Sequence, residues 1–207
     1  MSLSIAFTEL ESQLTGELHF DDLMRRLYAT DASVYRMLPQ AVAIPKTIGD
    51  IKKLIDFAKE NRTSLIPRTE GTSLAGQCVG EGIVVDVSKH FTKIIEINTL
   101  KKTVKVQPGV IRDELNNYLK SYGLFFGPNT STSNRCMIGG MVGNNSSGTT
   151  SIKYGVTRDK VIELKTLLSD GSEVVFKSLN TNEFDLKCKQ ENTEAVSYTH
   201  LTLPTKA

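Results

Sequence analysis

The feature that most constrains this chain is the run Pro67-Arg68-Thr69-Glu70-Gly71-Thr72-Ser73-Leu74-Ala75-Gly76-Gln77. It is set between two apolar runs, Leu65-Ile66 and Ile83-Val84-Val85-Asp86-Val87. A segment of this composition between two candidate buried strands is a tight loop with many free backbone N–H groups. Gly71 and Gly76 permit positive φ and close approach of the backbone to a ligand. Successive amides in such a turn form a concavity suited to phosphate oxygens, and Thr72 and Ser73 add hydroxyl donors. Composition alone leaves an ordinary strand-to-strand connection equally open. The loop lacks a Gly-Lys-Ser/Thr ending, so it is not the P-loop of nucleoside triphosphatases. It also lacks a Gly-x-Gly-x-x-Gly opening a helix, so the Rossmann type is not supported.

The flanking sequence predicts a small α/β unit. Asp21 is a candidate N-cap for a helix over 18–29, with Leu23 and Leu27 on one face. Val42–Pro45 reads as a strand. Thr47 caps a helix whose stripe is Ile48, Ile51, Leu54, Ile55 and Ala58, with Asn61 ending it in a left-handed turn. Strands Ser64–Pro67 and Ile83–Val87 enclose the loop, an order that implies parallel pairing. Beyond Ser88 the pattern becomes antiparallel. Ile94–Ile97 and Thr103–Val106 form a hairpin, and a helix follows on Ile111, Leu115, Tyr118, Leu119 and Tyr122, ended by Gly123. Val161–Leu168 and Glu173–Lys177 form a second hairpin on the turn Asp170-Gly171. The expected fold class is α+β: a small parallel α/β subdomain, then a larger, mostly antiparallel α+β one. The expected division is a helical lead-in over 1–36, a domain over 37–194 with subdomains of about 37–90 and 91–194, and a tail over 195–207 foreign to the fold.

A second small-residue stretch runs from Gly127 to Gly148. Long loops inside compact domains are functional or disordered, and Met137-Ile138 with Met141-Val142 argues against disorder. Gly139, Gly140 and Gly143 keep the surface thin enough for a flat ligand to lie against backbone, and the surrounding hydroxyls and amides suit a polar ring edge or a polyol chain. Alone, the stretch is equally a glycine-rich structural turn.

Net charge is only +2, which gives no support for a nucleic-acid or membrane-surface partner. No apolar run approaches the ~20 residues of a membrane span. Cys78, Cys136 and Cys188 are widely spaced and free of Cys-x-x-Cys pairs, which argues for a reducing cytoplasm and against zinc. His19, His90 and His200 form no ligand spacing.

The first loop resembles the pyrophosphate-binding loop of the FAD-linked oxidases, the vanillyl-alcohol-oxidase-like flavoproteins with a PCMH-type FAD-binding domain. Their usual form reads Pro-Arg-Gly-Gly-Gly-Thr-Ser-Leu-x-Gly, and Thr69 and Glu70 stand here for the first two glycines. Pro128 to Asn134, Ile138 to Gly148 and Lys153-Tyr154-Gly155 are similar to the family's second FAD-contacting segment. Val106-Gln107-Pro108-Gly109-Val110 and Val161–Gly171 match the elements around it. The resemblance covers about residues 28 to 178. Tyr28 to Ser33 with Tyr35, and Leu38 to Val42, look most like large bacterial members that oxidise D-2-hydroxy acids and carry a C-terminal iron–sulfur domain.

The resemblance implies non-covalent FAD held by Arg68, Thr69, Glu70, Gly71, Thr72, Ser73, Gly76 and Gln77 in the first loop. In the second it implicates Pro128, Thr132, Ser133, Gly139, Gly140, Asn144, Ser147 and Gly148. The implied substrate is a small 2-hydroxy acid such as D-2-hydroxyglutarate, D-lactate or glycolate, with hydride passing to the flavin and then to an unknown acceptor. In the family the substrate clamp and proton-accepting base come mostly from a cap domain downstream. No catalytic residue is assigned here, and an iron–sulfur cluster belongs only to a missing C-terminal part. The chain is read as the cofactor half of such an enzyme. The rival reading is a non-catalytic module that binds a nucleotide or other diphosphate.

Overall fold

The computed structural model describes residues 3–190 and 192–201. The chain divides into two compact units, Met1–Lys160 and Val161–Ala207. The expected break near residues 88–102 falls within the first. There Gly109 N donates to Phe91 O at 2.7 Å and Gln107 N to Lys93 O at 2.9 Å, tying the segment after the first sheet to the following hairpin.

In the first unit, helix α1 (Leu3–Gln13) precedes β1 (Glu17–His19), α2 (Asp22–Leu27), β2 (Ala41–Ile44), α3 (Ile48–Glu60), β3 (Leu65–Arg68) and β4 (Ile83–Asp86). The four strands form a sheet in the order β1-β2-β4-β3. β2 and β3 run parallel to β4, with Val42 and Ile66 both opposite Val84. Every residue of β2 and β4 is buried, which explains why both read as continuous apolar runs rather than alternating ones. Phe7 and Leu10 of α1 share a core with Leu18, Leu54, Phe57, Ile83 and Val85.

Thr47 caps α3 as expected, in a reciprocal box with Asp50. Asp50 is 1% exposed and accepts from Thr15 N, Thr15 Oγ1, Lys46 N and Thr47 N at 2.7–3.0 Å. Burial works to raise its carboxyl, but these donors outweigh it and hold the group at about 2. Asn61 is not the left-handed residue; Arg62 is, at φ 50°.

The helix expected over 18–29 is two elements. Leu18 is drawn into an antiparallel ladder with β2 and buried, so the chain turns helical only after Asp21. That residue caps α2 as expected, accepting from Leu23 N and Met24 N at 3.1 Å. Leu23 and Leu27 face outward, 67% and 60% exposed.

Strands β5 (Ile94–Asn98) and β6 (Thr103–Val106) pair antiparallel, with a bulge near Ile94. They pack with α4 (Arg112–Lys120) through Val110, Leu115 and Leu119. Tyr118 and Tyr122, expected on that face, are 39% and 43% exposed. Two short helices follow, α5 (Ile138–Gly143) and α6 (Ser151–Tyr154), then a 3₁₀ turn at Thr157–Lys160.

In the second unit, β7 (Glu163–Leu167) and β8 (Glu173–Lys177) form the expected hairpin, with Gly171 at φ 86° and Asp170 Oδ1 accepting from Ser172 N at 2.9 Å. Helices α7 (Thr181–Cys188) and α8 (Thr193–Leu201) complete it. Part of the expected foreign tail is therefore helical, with Ala195 buried; residues 202–207 lie outside the described residues. Among the described residues no helix is long and apolar enough to cross a membrane.

Candidate cofactor site

The first loop leaves the sheet at the end of β3 and is braced from below by the segment after α2. Gly71 at φ 73° and Gly76 at φ 68° supply the positive-φ turns. Arg68 Nη1 donates to Thr30 O at 2.8 Å, and its guanidinium lies over the Tyr28 ring, 5.1 Å from the centroid. Tyr28 in turn donates its hydroxyl to buried Asp86 at 2.6 Å. Burial first, then that acceptor, pushes the Tyr28 phenol well above its ordinary value. Ala32 N donates to Gly71 O at 3.1 Å. Ser73 Oγ accepts from Ala75 N and donates to Gln77 Oε1 at 2.9 Å, rounding the second half of the loop. Tyr35 packs where a Cβ on Gly76 would stand.

This bracing leaves one part of the loop unspent. Among the described residues, no acceptor meets the backbone N–H of any residue from Glu70 to Leu74. A row of consecutive unpaired amides on a glycine turn is an anion-binding concavity, so the residues present fit the diphosphate of FAD. Glu70 is exposed and Thr69 half-buried.

The second stretch is less of a loop than its composition suggests. Met137 with Met141 and Ile138 with Val142 are four residues apart, and α5 buries Met137 and Met141. The bracing comes from α4. Arg112 Nε donates to Pro128 O at 3.1 Å, and Arg112 Nη1 to Asp113 Oδ1 at 2.8 Å. Ser133 Oγ donates to Asp113 Oδ2 at 2.9 Å, and Asp113 N returns to Ser133 O at 3.2 Å. The Arg112 bond, opposed by desolvation and aided by Ser133, holds the Asp113 carboxyl below its usual range. Gly139 N donates to Pro108 O at 2.8 Å, and a Cβ there would strike Pro108. Gly139 thus serves close helix packing rather than an open surface. Gly143 meets nothing, and Gly140 faces Thr69, whose Oγ1 lies 2.6 Å from where a Cβ would be.

The structure therefore brings the two stretches together at Thr69 and Gly140. Gly140, Gly143, Asn144 and Ser147 are solvent-exposed, a thin face suited to a planar ring. Arg68, Ser73 and Ser133 are occupied by internal partners, Pro128 is buried, and Gly148 packs so closely on the Asn129 carbonyl that any side chain there would overlap it. Thr132 shares a hydroxyl contact with Thr130 at 3.3 Å, and Asn144 Nδ2 donates to Ser146 Oγ at 3.2 Å. Sequence reasoning missed Tyr28, Asp86, Arg112 and Asp113, because their partners are set by tertiary contact. The cleft of about 720 Å³ in the second unit, lined by Glu163, Glu173, Lys177, Leu186 and Glu194 among others, contains none of the expected site residues.

A mostly parallel sheet with a row of free loop amides, followed by a glycine helix, makes an α+β domain suited to holding a diphosphate. The family model for an FAD binding domain matches residues 39–177, which include both stretches. The chain belongs to that family. It is 43% identical over 169 residues to the D-2-hydroxyglutarate dehydrogenase of Haemophilus influenzae, covering 80% of this chain and 16% of that protein. It is 39% identical over 163 residues to the glycolate oxidase subunit GlcD of Bacillus subtilis, covering 77% and 35%. Among solved structures, an alkyldihydroxyacetonephosphate synthase superposes with a TM-score of 0.74 at 19% identity, covering 87% of this chain and 36% of that one. The chain spans about a sixth of the length of the dehydrogenases it matches.

Proposed function

We propose that this chain holds the FAD of a flavin-dependent dehydrogenase that oxidises a D-2-hydroxy acid of the D-2-hydroxyglutarate, D-lactate or glycolate type. The carrying observation is the unspent amides from Glu70 to Leu74, lying inside the stretch matched by the FAD-binding model. Those amides, with the Thr72 hydroxyl, would receive the diphosphate. The Gly140–Gly143 face would support the ring system, with Thr132, Asn144 and Ser147 at its polar edges. When bound, the flavin supplies the redox chemistry, accepting a hydride from the substrate α-carbon. The protein's share is binding, orientation and exclusion of water.

Two observations support non-covalent attachment. Cys136 is 4% exposed, with its Sγ 3.2 Å from Thr130 Oγ1. Cys78 is buried, its thiol pushed up by desolvation, so neither is a ready nucleophile. All three cysteines are free, which supports a cytoplasmic setting. Among the described residues no group of His, Cys, Asp and Glu is placed to hold a metal; an iron–sulfur cluster and the electron acceptor would belong to other parts of the enzyme, as would the substrate clamp.

The test is a visible absorption spectrum of the purified chain before and after adding FAD and desalting. A retained flavin band is the expected result. D-2-hydroxyglutarate added anaerobically is expected to leave that band unbleached, since the chain lacks an assigned substrate clamp. A chain that retains no flavin after reconstitution refutes the proposal.

A further inference from the structure

Among the described residues, two buried side-chain atoms have no hydrogen-bond partner: His90 Nε2 and Asn129 Oδ1. The histidine has a charge nearby, with Glu17 Oε1 at 3.9 Å. Asn129 has no such neighbour, although the residues around it are thoroughly paired. Gly127 O accepts from Thr150 Oγ1 at 2.9 Å, and Pro128 O from Arg112 Nε. Thr130 O accepts from Ser133 N at 3.1 Å, and Thr132 O from Arg135 N at 2.9 Å and Cys136 N at 2.7 Å. Asn129 as a residue is half-buried, with its Oδ1 shielded from solvent, and its carbonyl packs closely against Gly148.

A buried acceptor without a donor is destabilising, and an isolated exception in a paired segment points to a donor that arrives from outside the chain. We propose that Asn129 is a ligand-binding residue, its Oδ1 accepting a hydrogen bond from a hydroxyl or N–H group of the bound flavin nucleotide. The proposal rests on the FAD reading above. It is also chemically selective: phosphate oxygens and ring carbonyls only accept, so an amide oxygen that needs a donor must meet a sugar or ribityl hydroxyl, the ring imide or an amino group. The free amides of the first loop supply donors to the anionic part of the ligand, and Asn129 supplies an acceptor to its neutral part.

The experiment is a fluorescence titration of FAD into the wild-type chain, Asn129→Leu and Asn129→Asp, with thermal unfolding of each chain free of FAD. Asn129→Leu is expected to bind FAD about tenfold more weakly while the FAD-free chain keeps or gains melting temperature, because an unpaired buried oxygen has been removed. Asn129→Asp keeps an acceptor at the same place and is expected to retain most of the affinity. Asn129→Leu binding within twofold of wild type overturns the assignment alone. So does an Asn129→Leu chain that loses melting temperature without FAD, since that outcome marks a structural role. Failure of the wild-type chain to bind FAD at all overturns the FAD reading and this assignment with it.

Discussion

Replacing Gly71 with alanine tests the first loop at its tightest point. Gly71 sits at φ 73°, where an L side chain costs about 1–2 kcal/mol. The added Cβ would stand 2.5 Å from Arg68 Nη2 and 2.8 Å from Arg68 Cζ. A flexible arginine would normally swing away, but this one is held by Thr30 O at 2.8 Å and by the Tyr28 ring. Giving up a hydrogen bond to a charged donor costs roughly 1.5–3 kcal/mol, nearer the lower figure at this partly exposed site. Together the terms come to about 3 kcal/mol. If the loop bears this strain as lost order, flavin affinity falls by roughly a hundredfold at 1.4 kcal/mol per tenfold. The assay is an FAD fluorescence titration with a parallel melting curve, each read against the wild-type chain. Gly71→Ala binding FAD as tightly as wild type, with an equal melting temperature, would refute the argument that this turn requires glycine.

Three further outcomes follow from the geometry. Gly148→Ala places a Cβ 1.5 Å from the Asn129 carbonyl oxygen; backbone must shift, at a cost of about 2 kcal/mol or more, read as a lowered midpoint in urea. Tyr28→Phe removes the 2.6 Å donor from buried Asp86 and should cost about 1–3 kcal/mol in the same measurement. Asp50 titrates at about 2, below its ordinary 3.8, so its contribution of roughly 2 kcal/mol is fully present above about pH 4 and lost as pH falls through 2. Asp50→Asn should be less stable near neutrality and show a shallower acid limb, and an unchanged acid limb counts against the Asp50 cluster.

What the sequence disclosed followed from local rules. The Thr47 cap, the Asp170-Gly171 turn, the apolar β2 and the Ile83-Val84-Val85 run of β4 each carry their signal within a few residues. The row of amides after β3 was legible for the same reason, since glycine and threonine between two apolar runs leave backbone donors without a ladder. α5 escaped because three glycines lower helix propensity over the six residues of a helix that survives by burying Met141 and packing Gly139 on Pro108. β1 escaped because three residues carry little periodicity, and only their pairing with Val42–Ile44 of β2 makes them a strand. The braces Tyr28–Asp86 and Arg112–Pro128 were invisible because they join positions 58 and 16 residues apart.

That division bears on what Arg68 does. As a motif residue beside a phosphate loop it reads as a counter-charge for the diphosphate, and a lysine would then serve nearly as well, since phosphate accepts a point charge. In the structure its guanidinium is turned inward, bonded to Thr30 O and stacked on Tyr28, with Gly71 packed against it. A lysine lacks the planar fork that makes both contacts at once. Arg68→Lys is therefore expected to weaken FAD binding about tenfold, and to lower the melting temperature of the FAD-free chain as well. The second readout separates the two roles: a counter-charge would leave the FAD-free chain unchanged, whereas a brace is missed before any ligand arrives. Wild-type melting temperature in Arg68→Lys would return Arg68 to the phosphate. A lowered one would mean that the motif's side chains hold the backbone in shape and leave its amides to do the binding.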